Sequence, residues 1–555
     1  MCALCALSPF SLRSQETGPE PRLLLAVTLK SYTECMQKVT QIVNAVVPGM
    51  GANIGQMAPA ALGSPALQGV DRAQPVYITV GFVSHNVPPV VGMFVPVTDF
   101  GAFKSGLAPG SILRKTPSGD NHMEKMGDYA LTVVNTGGGS ASYVPFVKKW
   151  KPAKKDTMHL ITAVFHMEPV RKTVLGQLAG IQAMMGMMAG MGAAGQPGAG
   201  AVDPQSVQKI MGIYFDGFKV VAEGLDKAEI NIDADPGTIT VQTFVHALKG
   251  SSLKKAVSPP GFTLKDIAGL IDKKAQIVFA GGLEKNNSLI SKMKEIIPLS
   301  LGMQGIEGKK LKTMTESLNT SMDLITPCVF CMSMNVGAQG IDLEYIIKMD
   351  GKRAAESFEQ MGRFYKDMAQ FAGPDKMYEK IEYTKGVKKI SGIRVDRFKM
   401  SYNTNHPQLA QLKNFPGFKD MEYDYCAFND MMLMSQTGGM EELIKKVKAG
   451  GGTSDIHLRD KTVCRGSYNL LKLAGMGMNM VPGVPAAAKQ MFQNAPSAGT
   501  EIEFDLVCSG KADMKLTVPV KLLQTAGMMF LQLNAGGQGP SAMPPAGSDV
   551  PAPGF

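Results

Sequence analysis

Tryptophan is almost missing from this chain: Trp150 is the only one among 555 residues. Charged residues are also few, at 19%. No series of strongly apolar spans appears, which excludes a multi-pass membrane protein. The apolar fraction of 45% is still enough to fill a core, so wholesale disorder is excluded as well. At 555 residues the chain exceeds one ordinary domain and implies about three or four structural units.

The chain lacks the common signatures of chemistry. Cys328 and Cys331 form a CxxC, but no second CxxC and no nearby His completes a zinc or redox site. The run from Cys328 to Asn335 reads as a strand, on which positions three apart point to opposite faces. Cys35, Cys426, Cys464 and Cys508 stand alone and read as small buried apolar residues. The seven histidines (His85, His122, His159, His166, His246, His406 and His457) never occur at the i, i+4 spacing of helical metal ligands.

Nucleotide and nucleophile motifs fail on spacing. Gly49, Gly51 and Gly55 have one residue too many for GxGxxG, and they follow a helix rather than a strand. Gly305 to Lys310 has neither the four-residue gap nor the Ser/Thr of a P-loop. Gly137 to Ser142 is not GxSxG and reads as a turn. Asp424 and Asp430 are single acids in polar context. No cofactor and no metal is expected. A hydrolase with a dispersed site is kept as an alternative.

The net charge of +10 is modest for this length and scattered. Its densest run, Lys148, Lys149, Lys151, Lys154 and Lys155 around Trp150, reads as a solvated linker, and no nucleic-acid partner is expected. The N-terminus has the small, apolar texture of the end of a signal peptide without its basic start, so residues 1–22 are read as a signal remnant or a disordered arm. The alternative is a cytoplasmic protein with a loose N-terminus. Residues 534–555 are rich in Gly, Pro and Ala and read as a disordered tail.

What the chain does contain is internal similarity. Four segments open on a short apolar strand that leads into a helix. They begin at Leu23–Leu29, His159–Phe165, Gln276–Ala280 and, more weakly, Ile456–Leu458. Ser31 to Glu34 is a capping box, and Cys35, Val39, Ile42, Val43 and Val46 then follow at helical spacing.

Each segment closes on a hairpin of alternating residues. In the second, Ala228, Ile230 and Ile232 alternate with Glu229, Asn231 and Asp233, the chain reverses at Asp235-Pro-Gly-Thr238, and Ile239, Val241, Thr243 and Val245 return. Pro-Gly there suits a type II turn. In the fourth, Ile502, Phe504 and Leu506 face in, and Lys515 is offered as a cross-strand partner. Alternation of this kind means one wet and one buried face, as in antiparallel sheets with helices on one side.

The predicted fold class is therefore α+β, with repeated strand–helix–antiparallel hairpin modules. The modules span 23–155, 156–273, 274–440 (with extra strands, clearest at Gly392 to Tyr402) and 441–533.

Around Gly69-Val-Asp-Arg-Ala-Gln-Pro75 and Phe94-Val-Pro-Val-Thr-Asp99 the chain resembles a group of bacterial exported proteins of unknown function. They share a GLDRSRPWG-like turn before a hairpin and an F-x-PVTD junction. This chain departs at Ala73 and Gln74 and lacks the Trp. The resemblance covers the first half by motif and the rest by layout. It implies export to the periplasm or cell envelope and repetition, and carries no chemistry. Asp99 is in itself a sensible helix N-cap.

Methionine is abundant, at 39 residues. Met184, Met185, Met187, Met188 and Met191 crowd a stretch without charge from Thr173 to Val202, and Met476, Met478 and Met480 hold the corresponding place in the last module. Gly, Ala and Gln dilute the first stretch too much for a membrane span. Copper(I) binding would want His or Cys beside the thioethers. Packed core or an apolar groove remains. These eight methionines are the candidate surface for an apolar ligand or a protein partner. The expected function is non-catalytic binding, with a structural envelope or assembly protein as the alternative.

Overall fold

The structure is a computed structural model. It describes residues 20–537 apart from short internal stretches, the longest being 52–58, 152–157, 193–203, 410–419 and 451–457. Period-two alternation of apolar and polar residues builds the strands, and apolar residues at helical spacing build the helices between them.

In chain order the first part contains β1 (Arg22–Leu29), α1 (Tyr32–Val46), β2 (Val76–Phe82), β3 (Val90–Pro96), α2 (Phe100–Gly106), β4 (Lys115–Thr116), β5 (Gly119–Asp120), β6 (His122–Met126), β7 (Tyr129–Asn135) and α3 (Val144–Lys149). Next come β8 (Ile161–His166), α4 (Arg171–Gly192), α5 (Pro204–Gly224), β9 (Leu225–Ala234), β10 (Thr238–Ala247), α6 (Ser252–Ala256) and α7 (Lys265–Ala268). The third part holds β11 (Ile277–Leu283), α8 (Ser288–Met303), α9 (Gly308–Ile325), β12 (Cys328–Gly337), β13 (Gly340–Met349), α10 (Arg353–Met368), β14 (Tyr378–Ile390), β15 (Ile393–Tyr402), β16 (Asp420–Phe428), β17 (Met431–Gln436) and α11 (Met440–Lys448). The chain closes with β18 (Thr462–Asn469), α12 (Leu470–Met480), α13 (Ala486–Gln493), β19 (Glu501–Cys508), β20 (Ala512–Pro519) and α14 (Val520–Gly537).

Eighteen of these strands form one sheet in which every pairing is antiparallel. Outward from the β10–β20 pair, one side runs β10, β9, β8, β1, β2, β3, β7, β6. The other runs β20, β19, β18, β11, β12, β13, β17, β16 and then adds β15 and β14. The same order of connections thus occurs on both sides of one seam. A strand, one or two helices and an antiparallel hairpin recur four times, so the fold is α+β with strand–helix–hairpin modules.

Local signals explain the element ends. Ser31 caps α1 by accepting the Glu34 amide at 3.1 Å, and Asp99 caps α2 by accepting that of Ala102 at 3.0 Å. The turn after β9 differs from the expected type II. Gly237 keeps out of the left-handed region, and Asp235 instead holds the loop by accepting the Gly237 and Thr238 amides, each at 2.7 Å.

The opening strand of the fourth module also differs. It is Thr462–Asn469, which pairs with β11, whereas Ile456 and His457 lie outside the described residues. A strand reading of three residues was too short to compete with the β-branched and aromatic run that follows.

Both outer ends of the sheet are covered on both faces. At one end Val147 of α3 packs with Val90, Phe94 and Leu131, while Phe103 of α2 packs with Met93 and Val95 on the opposite face. At the other, Leu443 and Ile444 of α11 cover Cys426 and Leu433, and Phe358 of α10 covers Ile381, Phe398 and Tyr425.

Trp150 belongs to this packing and not to a solvated linker. It closes α3 and lies against Gly81, where a Cβ would stand 2.1 Å from its ring. Lys151 sits 3.7 Å from the Tyr129 ring centroid. Lys154 and Lys155 lie outside the described residues.

Candidate functional site

The middle of the sheet is covered differently from its ends. Residues directly opposite one another across the ladders share a face, so the register defines rows that cross ten strands from β1 to β13. One row reads Val27, Ala163, Ile230, Thr243, Met514, Leu506, Cys464, Gly281, Phe330 and Ile347. The next on the same face reads Leu29, Ile161, Ile232, Val241, Leu516, Phe504, Gly466, Phe279, Met332 and Tyr345.

Such a surface is normally buried. Here its centre is open: Ile230 keeps 37% and Met514 46% of its accessible surface, and every residue of β10 is only half-buried.

The helices meet this face at the two strand ends and leave the centre between them. At one end Leu471, Met491, Phe492, Leu522 and Met529 of α12, α13 and α14 pack with Ile502 and Val518. At the other, Val220 of α5 and Leu253 beside it pack with Val245, Leu506 and Ala512. Each group joins helices from both sides of the seam, since α1 packs on α14 and α5 on α8. The result is a trough with a sheet floor and helical walls.

An aromatic band runs along part of the floor. Tyr468 stacks on Phe504 at 5.7 Å, Phe504 on Phe279 at 6.2 Å, Phe279 meets Phe330 at 5.7 Å, and Phe330 meets Tyr345 at 5.9 Å. Gly466 makes this possible, because a Cβ there would stand 2.3 Å from the Phe504 ring. Burial raises the Tyr345 phenol and pushes the Cys464 thiol up to about 11, so both stay neutral and line the floor as weakly polar groups.

Sequence reasoning missed this band. Its members come from β11, β12, β13, β18 and β19, and no local signal links them.

The methionines expected to form the binding surface sit on two separate walls. In α4, Met184 and Met187 are exposed at 52% and 64%, with Ile181, one turn away, at 44%, and Met185 is half-buried. α4 packs on α5, whose Tyr214, Phe218 and Val221 form a second exposed stripe. In α12, Met478 is half-buried, and this helix packs on α13. Met188, Met191, Met476 and Met480 are placed in their helices, and their side chains lie outside the described residues.

The opposite face of the same central strands is polar and tied together. Thr162 bonds Asn231 at 2.9 Å, Asn231 donates to Glu229 at 3.0 Å, and Gln242 donates to Asp513 at 2.9 Å across the seam. Arg459 grips Asp505 with two nitrogens and donates to Asp513 at 2.6 Å. His159 contacts Asp233 at 2.6 Å just before β8.

Two buried carboxylates lie in the added strands. Asp396 accepts from Tyr383 at 2.5 Å, from the Gly386 amide at 2.7 Å and from Arg394 at 2.9 Å. Asp424, expected as a single acid in polar context, is fully buried. It is held by Arg397 at 2.8 Å and Lys388 at 2.7 Å. Burial alone would raise its pKa, but these two cations bring it below the ordinary carboxylate value. Both acids are consumed by ion pairs, and neither is left poised for proton transfer.

Cys328 and Cys331 lie on opposite faces of β12, in different core clusters. Among the described residues no group of three His, Cys, Asp or Glu could hold a metal ion, and no helix is long and apolar enough to cross a membrane. Comparison of the chain with protein-family models, curated proteins and solved structures returned no match.

Proposed function

We propose that this protein binds an elongated apolar ligand, such as a lipid acyl chain, along the central sheet face, and that it does so without catalysis. The observation that carries this reading is the half-exposed apolar floor at Ile230 and Met514, bounded by helical packing at both strand ends. Burying a side chain of this size is worth about 1.5–3 kcal/mol, so an open row of them is a standing drive toward an apolar occupant. Thioethers and flat aromatic rings adapt to a chain of variable shape.

The matching connection order on the two sides of the β10–β20 seam supports a history of internal duplication, with module boundaries near 155, 273 and 440. The apolar N-terminal texture and the GLDRSRPWG-like signature support export to the envelope, where a carrier of lipids has a task.

The test is native mass spectrometry of the full-length protein purified from its own host without detergent. Added mass that leaves on denaturation and analyses as lipid supports the reading. A bare protein that also fails to bind cis-parinaric acid overturns it.

A further inference from the structure

Charge is distributed unevenly along this chain. Residues 39–70, 173–202, 296–306, 473–488 and 522–548 contain no Asp, Glu, Lys or Arg at all. Each run takes in the far end of a helix in the two wall groups: α1, α4, α8, α12 and α14. Four of the five begin directly after a lysine: Lys38, Lys172, Lys472 and Lys521.

These helices therefore carry a cation on the inner part and none beyond it. Apolar side chains are exposed on the uncharged part, as at Met184, Met187 and Met528. The helix α5, which packs on α4, exposes Tyr214, Phe218 and Val221 as well.

A protein surface in water is normally studded with charge. An uncharged, apolar helix stretch that follows a lysine is instead the arrangement of interfacial helices, whose apolar side chains enter the acyl boundary while the lysine ammonium reaches the headgroups. No helix among the described residues is long and apolar enough to cross, which limits the helices to shallow insertion. The geometry points to docking of α4, through its exposed Met184–Met187 stripe, on an anionic lipid surface. The net charge of +10 has the sign that such a surface attracts. This docking stands on charge distribution and does not depend on whether the trough holds a ligand.

The test uses the full-length protein, stripped of any ligand, in flotation with phosphatidylcholine vesicles that contain about 30% phosphatidylglycerol, compared with phosphatidylcholine alone. The protein should float with the anionic vesicles, and M184D/M187D should lower its partitioning about tenfold. Both residues are exposed, so the variant should keep the wild-type circular dichroism.

With a single native Trp, M187W adds a reporter: its emission should move to the blue on anionic vesicles while that of the parent stays put. Failure of the parent to float, flotation unchanged in M184D/M187D, or a dimer that M184D/M187D dissociates would each overturn the proposal. The last result would show that the stripe packs against a second copy.

Discussion

Thr243 of β10 and Met514 of β20 lie directly opposite each other, although 271 positions separate them in the chain. Their pair marks the seam between the two sides of the sheet and the middle of the apolar floor. Met514 is nearly half exposed there, so the apolar face is open at the seam itself.

Met514→Glu places a charge on that floor without emptying any packed space. Binding of cis-parinaric acid should weaken by tenfold or more, roughly the 1.4 kcal/mol or greater cost of a charge beside the chain. The melting temperature should stay within a few degrees of the parent. Equal affinity in parent and variant would place the ligand elsewhere.

Gly466→Ala sets a methyl group 2.3 Å from the Phe504 ring and 3.0 Å from the Val278 carbonyl. The ring must tilt and the backbone must shift, at a cost of about 1–3 kcal/mol. Denaturant titration should show this loss. Because Phe504 lies between Tyr468 and Phe279, the near-ultraviolet dichroism of the band should change with it.

Arg459→Met leaves Asp505 and Asp513 facing each other without their shared cation. The site is only partly buried, so the loss should be near 2 kcal/mol and not the larger penalty of a fully buried pair. It should shrink in high salt, which screens a partly exposed ion pair. A loss that is unchanged between low and high salt would show that packing of the Arg459 stem matters more than its charge.

Asp424 contributes stability through a folded pKa below its unfolded value. The sign follows: the contribution is fully present above the unfolded carboxylate value near 4 and is lost as pH falls below it. Asp424→Asn should cost about 2 kcal/mol at pH 7, since Arg397 and Lys388 lose their counter-charge. Stability curves of parent and variant, measured by denaturant titration between pH 7 and pH 3, should converge toward the acid end.

Much of the architecture was legible in the sequence because it is written at short range. The capping residues Ser31 and Asp99, the alternation at Ala228 to Ile232 and the divergence of Cys328 and Cys331 all follow from periods of 2 and 3.6 residues. The misreadings have physical causes of the same kind. Ile456 to Leu458 has the composition of a strand but too little length, and β18 forms from the longer run after it. Pro-Gly at 236–237 matches a type II turn, yet the Asp235 carboxylate supplies a stronger local hold. Asp424 looks like a surface acid because its partners Lys388 and Arg397 lie 36 and 27 positions away.

By itself, the sequence determined the α+β class of the fold and the methionine-rich, uncharged character of stretches such as 173–202. These are local properties, set by side-chain type and spacing along one segment. Only the tertiary structure decided that β10 pairs with β20 and that ten strands share one apolar row. It alone set five aromatic rings side by side and brought the helices to the strand ends, leaving the centre uncovered. Those outcomes depend on the register between distant strands and on which face each helix reaches. A linear pattern records neither.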